Sequence, residues 1–395
     1  MTTHRISILG STGSIGQSTL AVLDKNPQIE VYALSANRNA RLLFAQCQKY
    51  HPKIAVLSDP QAADEFTELQ KQAHCETELL VGAAALNQIA SAKLVTIVMA
   101  AIVGAAGLES TLAAVNAGKR VLLANKEALV MTGDVLMHAA KQSGAPIIPI
   151  DSEHNAIFQC LPSTQTGVTP AQLKFVKKVV LTASGGPFLN RSSQDFREIT
   201  PAQACSHPKW DMGQKISVDS ATLMNKGLEF IEACYLFELQ PTQVEVLIHP
   251  ESIVHSMVHY TDGSVLAQMG NPDMRIPIAF GLGWPDRIES GAENLDLRGQ
   301  TLHFAIPDTA KFPCLRLGIE AATLRGTAPA IVNAANEVAV AAFLARKLAF
   351  PHIPLLIEAV MSKIPCEAAP SLAIILNVDQ LARSLSNDLI RKDFC

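Results

Sequence analysis

The sequence predicts an α/β protein that begins with a Rossmann-like parallel sheet, and three observations support this fold class. A glycine-rich turn joins a short apolar strand to a helix near the start of the chain. Strand-like apolar segments then alternate with helical stretches over the first 150 residues, which is the pattern of a doubly wound sheet. The composition is 48% hydrophobic but only 5% aromatic, which suits helices that pack on a sheet through aliphatic side chains.

The length and the charge limit the number of domains and the kinds of partner. A chain of 395 residues is too long for one ordinary core, so two or three domains are expected. The net charge of −4 comes without a polybasic segment, which argues against nucleic acid or an anionic membrane as a partner. The longest near-apolar run, LVTIVMAAIVGAAGL, is shorter than the roughly 18–20 residues of a membrane span.

The cysteines and the N-terminal residues indicate a cellular location. The eight cysteines are scattered and include no C-x-x-C pair, which is typical of reduced thiols and not of disulfides or a zinc site. The first strand follows MTTH directly, so neither a signal peptide nor a transit peptide is expected. We therefore expect a cytoplasmic protein of bacterial type.

The segment RISILGSTGSIGQSTLAVL is typical of a dinucleotide-binding turn. Gly10, Gly13 and Gly16 lie between a strand and a helix, in a G-x-x-G-x-x-G spacing instead of the commoner G-x-G-x-x-G. Glycines let the backbone approach a pyrophosphate, and the first amides of the helix point at it. The alternative is that these glycines serve helix–strand packing alone, but their position directly between strand and helix favours a nucleotide.

The end of the second strand indicates which dinucleotide binds. IEVYALSANRNA ends in Asn37, Arg38 and Asn39, without the acid that commonly holds the ribose 2′-hydroxyl of NAD. An arginine there suits a 2′-phosphate, so NADP is favoured over NAD. The alternative is an arginine that only lies in a solvated loop.

Polar residues also follow a later strand, in the segment LLANKEAL. Asn125, Lys126 and Glu127 lie just beyond its C-terminal end, where ligands bind in open α/β sheets. Helix capping explains these residues equally well.

Acidic residues in two segments indicate a cation site. Asp151 and Glu153 end the apolar run APIIPI, and if that segment is extended their side chains point the same way and repel each other unless a cation lies between them. Glu229 or Glu232, on one face of a later helix, could complete the ligand set. Carboxylate oxygens suit Mg²⁺ or Mn²⁺ better than zinc. The alternative is that these glutamates only lie on a solvated face.

Hydrogen-bond donors in the middle of the chain indicate an anion site. Ser184, Ser220, Asn225 and Lys226 would form a phosphate pocket. The segment VDSATLMNKGLEF is expected to start with turn residues and to continue as a helix.

The connection between these donors is long, and apolar residues within it indicate a lid. His207, Trp210 and Met212 need a surface on which to close. His255 and His259 resemble a metal-binding H-x-x-x-H pair, but their segment is predicted to be extended, in a hairpin around residues 261–264, so only His255 is placed near the substrate.

Seven segments occur in one order: GSTGSIG, ANKEALV, PIDSEHNAIFQ, LTASGGPF, HPKWDMG, ISVDSATLMNKGLE and HPESIVHSMV. Together they closely resemble the 1-deoxy-D-xylulose 5-phosphate reductoisomerase family, from about residue 5 to about residue 345. The resemblance implies an enzyme of non-mevalonate isoprenoid biosynthesis that converts 1-deoxy-D-xylulose 5-phosphate to 2-C-methyl-D-erythritol 4-phosphate. It implies NADPH as the reductant and a divalent cation, Mn²⁺, Mg²⁺ or Co²⁺.

The resemblance also implies roles for individual residues. The metal ligands would be Asp151, Glu153 and Glu229, with Glu229 preferred to Glu232 because it closes the NKGLE motif. The catalytic residues would be these three acids with Lys126 and His207. The substrate would be bound by Ser152, Glu153, Ser184, His207, Trp210, Ser220, Asn225, Lys226, Glu229 and His255. NADPH would be bound by Thr12, Gly13, Ser14, Ile15, Asn37, Arg38, Asn39, Asn125, Glu127 and Gly213.

Two positions depart from the family pattern. Asn37–Arg38 stands where Gly-Lys is expected, and the arginine keeps the positive charge. Asp211, between Trp210 and Met212, places a negative charge close to an anionic substrate, and nothing in the sequence explains that choice.

The expected organisation has four parts. Residues 1–150 form the NADPH-binding domain, and residues 151–280 form an α/β catalytic domain with a mobile lid loop at about 184–214. Residues 281–311 connect it to a C-terminal α-helical domain at 312–395. The resemblance further implies a homodimer, and inhibitors of the fosmidomycin type, phosphonohydroxamates, are expected to bind at the metal.

Two other functions are considered. A semialdehyde or homoserine-type dehydrogenase would also pair a nucleotide domain with a substrate domain, but it would need a catalytic cysteine, or a lysine and an acid without a metal. A nucleotide-sensing regulator would need a basic helix-turn-helix, and none is found in the sequence.

Overall fold

Seven strands among the described residues pair in one fully parallel sheet, in the order β4-β3-β2-β1-β5-β6-β7. The computed structural model of the chain describes residues 4–73, 75–162, 173–210 and 212–393. The strands are β1 (His4–Leu9), β2 (Ile29–Ala36), β3 (Ile54–Leu57), β4 (Glu78–Val81), β5 (Ile97–Ala100), β6 (Arg120–Leu123) and β7 (Ile147–Pro149). The helices that connect them are α1 (Ser14–Leu23), α2 (Ala40–Tyr50), α3 (Ala63–Ala73), α4 (Ala83–Ser91), α5 (Leu108–Asn116) and α6 (Lys126–Ser143).

The central strands are apolar on both faces because helices cover both sides of the sheet. Every residue of β3 and of β5 is buried, as expected for a parallel sheet of this kind. The strand order reverses between β1 and β5, and ligands of doubly wound sheets bind outside the strand ends at that reversal. The glycine turn after β1 lies at this point.

A second, four-stranded sheet has the order β11-β10-β8-β9. Its strands are β8 (Val176–Ala183), β9 (Val244–Ile248), β10 (Val254–Tyr260) and β11 (Val265–Met269). β10 is antiparallel to β8 and β11, and it forms the predicted hairpin with β11. His255 and His259 are both in β10, so the structure agrees that they are not a helical metal pair.

The helices around the second sheet differ from two predictions. They are α7 (Ser152–Cys160), α8 (Pro201–Ala204), α9 (Gln214–Thr222), α10 (Met224–Leu236) and α11 (Arg275–Gly283). The prediction that Asp151 and Glu153 lie on an extended segment is wrong, because helix α7 begins directly after Asp151. The prediction that residues 218–222 are turn residues is also wrong: they belong to α9, and the left-handed Leu223 separates this helix from α10.

The predicted lid region is packed over most of its length. A short 3₁₀ helix, Ser193–Glu198, and α8 lie within it, and Phe188 and Phe196 are buried against Phe350. Between residues 206 and 213, by contrast, no described residue is buried. This shorter segment is called the lid below.

Four helices form the C-terminal part: α12 (Pro313–Leu324), α13 (Ala328–Leu344), α14 (His352–Lys363) and α15 (Leu372–Asp393). Helix α12 packs closely on α10 through glycines, since a Cβ atom on Gly318 would lie 2.4 Å from the Cα atom of Gly227. Helix α13 packs on α6 and on α15, so the C-terminal helices contact the nucleotide-binding part directly. No helix among the described residues is long and apolar enough to cross a membrane.

Candidate active site

Three carboxylates converge where α7 meets α10. Asp151 is the N-cap residue of α7, Glu153 lies in its first turn, and Glu229 lies within α10. One carboxylate oxygen from each of the three lies within 4.8 Å of the others. The start of α7 favours negative charge, because its free amide groups carry partial positive charge. The three predicted metal ligands are therefore brought together, although by a helix and not by a strand.

Two lysines balance these acids. The Lys126 ammonium contacts Asp151 and lies 3.2 Å from Oε1 of Glu229. The Lys226 ammonium lies 2.8 Å from Oε1 of Glu153 and also contacts Glu229. When all five groups are ionised, the three carboxylates and two ammonium groups leave an excess of one negative charge in a largely buried volume.

The pKa values of the acids reflect this burial. Burial opposes the ionisation of Asp151, yet the neighbouring Lys126 holds the pKa of Asp151 well below its usual range. Burial, followed by the charges of Asp151 and Glu153, raises the pKa of Glu229 to about 7. The side chain of Glu229 has no exposed surface, and such a group is costly to ionise unless a cation or a hydrogen bond compensates it.

The donor set fits a hard divalent cation. It offers carboxylate oxygens from three residues, which are the ligands that Mg²⁺ and Mn²⁺ prefer. The negative excess and the raised pKa of Glu229 both indicate a place where added positive charge is favourable.

A second acidic residue of α10 lies behind this set. The carboxylate of Glu232 is fully buried and lies 3.4 Å from Nδ1 of His154. Nε2 of His154 donates to the backbone carbonyl of Glu229 at 2.9 Å, so this ring links α7 to α10. His154 was not among the site residues predicted from the sequence, although its position beside Glu153 in PIDSEHNA was a usable signal.

Two of the predicted substrate residues, Ser152 and Asn225, contact the acids directly. Ser152 donates to Glu153 at 2.6 Å, and Asn225 donates to Glu229 at 2.5 Å. Lys126 donates to the side-chain oxygen of Asn225 at 2.9 Å. These contacts hold the carboxylates in fixed orientations.

The turn at Ser184, which follows β8, contacts His207 in the segment 206–213. The hydroxyl of Ser184 lies 2.9 Å from Nε2 of His207, and Gly186 donates its amide to the same hydroxyl. Gly186 lies against the backbone of Ser220, since a Cβ atom there would be 2.7 Å from the Ser220 carbonyl oxygen. Burial lowers the pKa of His207.

Trp210 faces β10 of the second sheet. The rings of Trp210 and His255 have centroids 6.3 Å apart, and both line a small cavity with Ser152. Burial lowers the pKa of His255 although Glu153 opposes this. Asp211 lies outside the described residues.

The glycine turn has the shape that a nucleotide site needs. Gly10 has a φ of +87°, and a Cβ atom on Gly16 would lie 2.4 Å from the Gly10 carbonyl oxygen, so a side chain is excluded there. Gly13 caps α1 without a side-chain hydrogen bond, and the first turn of α1 carries no acid. Ser11 is buried and donates to Gln46 at 2.7 Å, so its hydroxyl has a structural partner.

The end of β2 carries an exposed cation. Nε of Arg38 lies 2.5 Å from Oδ2 of Asp59, but 79% of the arginine side chain remains exposed. Asn37 accepts a hydrogen bond from Ser58 at 3.1 Å, and Asn39 caps α2 by accepting from the Leu42 amide. Asp59 was not predicted from the sequence as a partner of Arg38, because Asp59 follows β3 and Arg38 follows β2.

The residues after β6 have structural partners as well. Asn125 caps α6, which was the alternative considered for this motif, by accepting from the Ala128 amide at 3.3 Å. Glu127 lies 2.7 Å from the ammonium of Lys215. Gly213 is the N-cap residue of α9.

The fold and this site define a class of protein: a dinucleotide-binding α/β enzyme with a cluster of acidic residues that fits a divalent cation. Comparisons with known proteins identify the family. Three family models match: 1-deoxy-D-xylulose 5-phosphate reductoisomerase at residues 6–133, its C-terminal domain at 147–237 and the DXP reductoisomerase C-terminal domain at 269–385. The chain belongs to the 1-deoxy-D-xylulose 5-phosphate reductoisomerase family.

Curated relatives and solved structures agree over almost the full length. The reductoisomerase of Cellvibrio japonicus is 54% identical over 391 residues, covering 98% of each chain. That of Cupriavidus taiwanensis is 55% identical over 382 residues, covering 96% of each. A crystal structure of DOX-P reductoisomerase in complex with NADPH, fosmidomycin and magnesium matches with a TM-score of 0.93 and 45% identity over 98% of each chain. The Zymomonas mobilis enzyme in complex with NADPH matches with a TM-score of 0.91 and 42% identity, covering 98% of this chain and 99% of that one.

These findings confirm several predictions from the sequence. The family, the α/β fold class and the NADP-dependent enzymatic function are confirmed. The function is the NADPH-dependent conversion of 1-deoxy-D-xylulose 5-phosphate to 2-C-methyl-D-erythritol 4-phosphate with a divalent cation. The dehydrogenase and regulator alternatives are set aside.

Proposed function

We propose that this chain carries out that reaction at the junction of α7 and α10. The observation that supports this is the convergence of Asp151, Glu153 and Glu229, whose carboxylate oxygens lie within 4.8 Å of one another. These three acids would hold the divalent cation. When bound there, the cation supplies Lewis-acid polarisation of the substrate oxygens.

The lysines and the amide of this site prepare the acids for that role. Lys126 bridges Asp151, Glu229 and Asn225, which fixes two carboxylates relative to each other. Its ammonium is also a permanent positive charge beside the reacting carbon chain, so it stabilises negative charge on substrate oxygens. Ser152 holds the second oxygen of Glu153 and leaves the first to Lys226.

The phosphate group is assigned to donors on both sides of the lid. These are Ser184, Ser220, Asn225 and Lys226. Ser184 now bonds His207 and Lys226 now bonds Glu153, so phosphate binding would exchange these contacts for contacts with an anion. Charge-assisted hydrogen bonds of this kind are short and strong.

The lid is assigned the task of covering the sugar. Trp210 already faces His255 across the cavity, and His207 reaches the serine turn at Ser184. Closure would exclude water from the aldehyde before it is reduced. The lid proper would comprise residues 206–213, which is shorter than the segment 184–214 expected from the sequence.

The nucleotide is assigned to the edge of the first sheet where the strand order reverses. The uncapped first turn of α1 would receive the pyrophosphate, and Arg38 would meet the 2′-phosphate. The full set of proposed contacts is Thr12, Gly13, Ser14, Ile15, Asn37, Arg38, Asn39, Asn125, Glu127 and Gly213.

A solved relative contains NADPH together with fosmidomycin and magnesium, so we also propose that phosphonohydroxamates of this type bind to this chain at the metal site.

We also propose that the chain forms a homodimer through the second sheet. β11 is one of the two outer strands of that sheet among the described residues, and Val265 and Leu266 in it are 44% and 49% exposed. An outer strand with exposed apolar residues is a pairing surface.

The proposed domains remain residues 1–150, 151–280 and 312–395, joined by 281–311. A cytoplasmic location is proposed as well, and it is supported by cysteines that are all unpaired among the described residues.

The experiment that tests the function is NADPH oxidation, followed at 340 nm, with 1-deoxy-D-xylulose 5-phosphate as substrate. EDTA should abolish the rate, and Mn²⁺ or Mg²⁺ in excess should restore it. Glu153→Gln removes one carboxylate of the set, and we expect turnover to fall by about a hundredfold to a thousandfold, an effect of the size seen when a key electrostatic group is removed. Binding of NADPH, measured by titration, should stay within about twofold.

Glu245→Gln is the matched control for that substitution. Glu245 is an acid of the same domain, 43% exposed on β9 and paired with Lys178, so its neutralisation should leave the rate unchanged. A rate that survives EDTA, or a Glu153→Gln variant that retains turnover but loses NADPH binding, would contradict the proposed site.

A further inference from the structure

A line of buried polar contacts leads from the C-terminal helices to the nucleotide-binding helix α6. Asn336 of α13 donates to Oδ1 of Asp219 at 2.8 Å. The other oxygen of Asp219 lies 2.8 Å from the ammonium of Lys215. The same ammonium lies 2.7 Å from Oε1 of Glu127, in the first turn of α6. These four residues are called the anchor network below.

Three of the four members of the anchor network are shielded from water, while the Lys215 side chain is 24% exposed. Asn336 has no exposed surface, Asp219 is 1% exposed and Glu127 is 7% exposed. Burial would lower the pKa of Lys215, but the charges of Asp219 and Glu127 raise it above its usual value. Removing one partner leaves another polar group buried without its hydrogen bond, so each contact constrains the next.

The position of Lys215 connects this network to the lid. The lid ends at Gly213, the N-cap residue of α9, and Lys215 is the second residue of that helix. No described residue between 206 and 213 is buried, and the ion pair of Lys215 with Asp219 is a polar attachment that follows Trp210 along the chain, together with the hydrogen bond from the Ser217 hydroxyl to the Gly213 carbonyl. On its other side the ammonium holds Glu127, which lies beside the proposed metal-site residue Lys126.

We propose that Lys215, Asp219 and Asn336 are positioning residues, which fix the C-terminal end of the lid against α6 so that Trp210 closes over the substrate beside the cofactor. The C-terminal helices thereby take part in the reaction without contacting the substrate. The inference rests on the proposed function, because it concerns how the lid of that site is held.

The sharpest test is Asn336→Ala, because Asn336 contacts Asp219 and is not among the proposed substrate or cofactor residues. We expect the KM for 1-deoxy-D-xylulose 5-phosphate to rise about tenfold, which corresponds to about 1.4 kcal/mol. The dissociation constant for NADPH alone should change less than about twofold, because the contact between Lys215 and Glu127 remains. A purely structural role would not produce this split between substrate and cofactor.

A spectroscopic signal reports the lid directly. Trp210 is one of two tryptophans in the chain, so the change in fluorescence on adding fosmidomycin and Mg²⁺, with Trp210→Phe as the baseline, measures closure. In Asn336→Ala this change should fall to less than about half of the wild-type value at equal inhibitor concentration. Gln214→Ala, at an exposed neighbour of Lys215 in α9, is the matched control and should behave as wild type.

Two further variants keep the inference testable if Asn336→Ala fails to fold. Asp219→Asn keeps the shape but removes the charge that Lys215 contacts, and it should shift KM and fluorescence in the same direction. Lys215→Arg keeps the positive charge and should retain more of the fluorescence change than Lys215→Met.

Wild-type KM and fluorescence in both Asn336→Ala and Asp219→Asn would overturn the inference, and so would a lower melting temperature without a change in KM. If the wild-type chain itself does not oxidise NADPH with the substrate, the proposed function fails instead.

Discussion

Arg38 keeps most of its guanidinium exposed while one edge is held by Asp59. Asp59 also accepts the Gln61 amide at 2.9 Å, and that bond, followed by Arg38, lowers the pKa of this carboxyl. The acid is therefore already engaged and orients the arginine. Asp59 follows β3, the neighbour of β2 in the sheet. An acid that selects NAD would instead lie at the end of β2 itself.

Replacing Arg38 by alanine should weaken NADPH specifically. A charge-assisted contact to a phosphate contributes about 1.5–3 kcal/mol, so the KM for NADPH should rise by about 10–100-fold while the KM for NADH stays nearly constant. Steady-state kinetics with both cofactors provide the measurement. Arg41→Ala is the matched control, since Arg41 is 82% exposed three residues further on and pairs with Glu65. Equal effects on NADPH and NADH would exclude a 2′-phosphate role for Arg38.

Lys226 has two possible partners, the acids of the site and the phosphate of the substrate. Lys226 was expected to bind phosphate, yet its ammonium contacts Glu153 and Glu229. A buried carboxylate attracts the nearest cation because the surrounding dielectric constant is low. Charge neutralisation within the acid cluster and phosphate binding therefore compete for the same side chain.

At the scale of elements, the glycine turn determines how close α1 comes to β1. A Cβ atom on Gly16 would lie 2.4 Å from both the Gly10 carbonyl oxygen and the Cα atom of Ser11. These are backbone atoms, so the contact cannot be relieved by moving a side chain. The close distance between α1 and the turn is therefore set by backbone packing at Gly16. The same close packing places the first amides of α1 at the proposed pyrophosphate site.

Gly16→Ala should consequently cost both stability and cofactor binding. Overpacking of this kind costs about 1–3 kcal/mol, so the melting temperature should fall and NADPH affinity should drop at least about tenfold. Thermal unfolding and NADPH titration are the measurements. Gly13→Ala is the comparison, because its Cβ atom would meet only the Gly10 carbonyl oxygen at 3.5 Å, an ordinary contact distance. If Gly13→Ala lowered the melting temperature as much as Gly16→Ala, the packing explanation would be wrong.

At the scale of the whole molecule, the second sheet presents an outer strand. β11 pairs with β10 on one side, and the side chains of Val265 and Leu266 are largely exposed. The proposed dimer would cover these residues and continue the sheet.

Leu266→Lys should therefore shift the chain from dimer to monomer, because a lysine on an outer strand opposes pairing with a second strand. Sedimentation velocity would show the wild type at twice the 42.3 kDa chain mass and the variant at that mass. Leu355→Lys, a 50% exposed leucine on α14, is the control and should leave the dimer intact. A wild-type chain that sediments as a monomer at micromolar concentration would refute the proposal.

The sequence by itself determined the fold class and the NADP-dependent function, and it predicted the two acids that open the proposed cation site. Each depends on information local to one segment: the glycines between β1 and α1, the arginine after β2, and Asp151 with Glu153. The spacing of residues within a segment specifies which groups its backbone can present to a ligand. It did not specify that Asp151 starts a helix, since an apolar run with two prolines is compatible with either continuation.

The tertiary structure alone decided the partners of these groups. Asp59 meets Arg38 across 21 residues, Lys215 meets Glu127 across 88, and Asn336 meets Asp219 across 117. The burial of Phe188 and Phe196 likewise removes much of the expected segment 184–214 from the proposed lid, which is left with residues 206–213. Such pairs form only when distant segments pack against each other in the folded chain. The pattern of residues within one segment does not encode a contact with a residue of another segment.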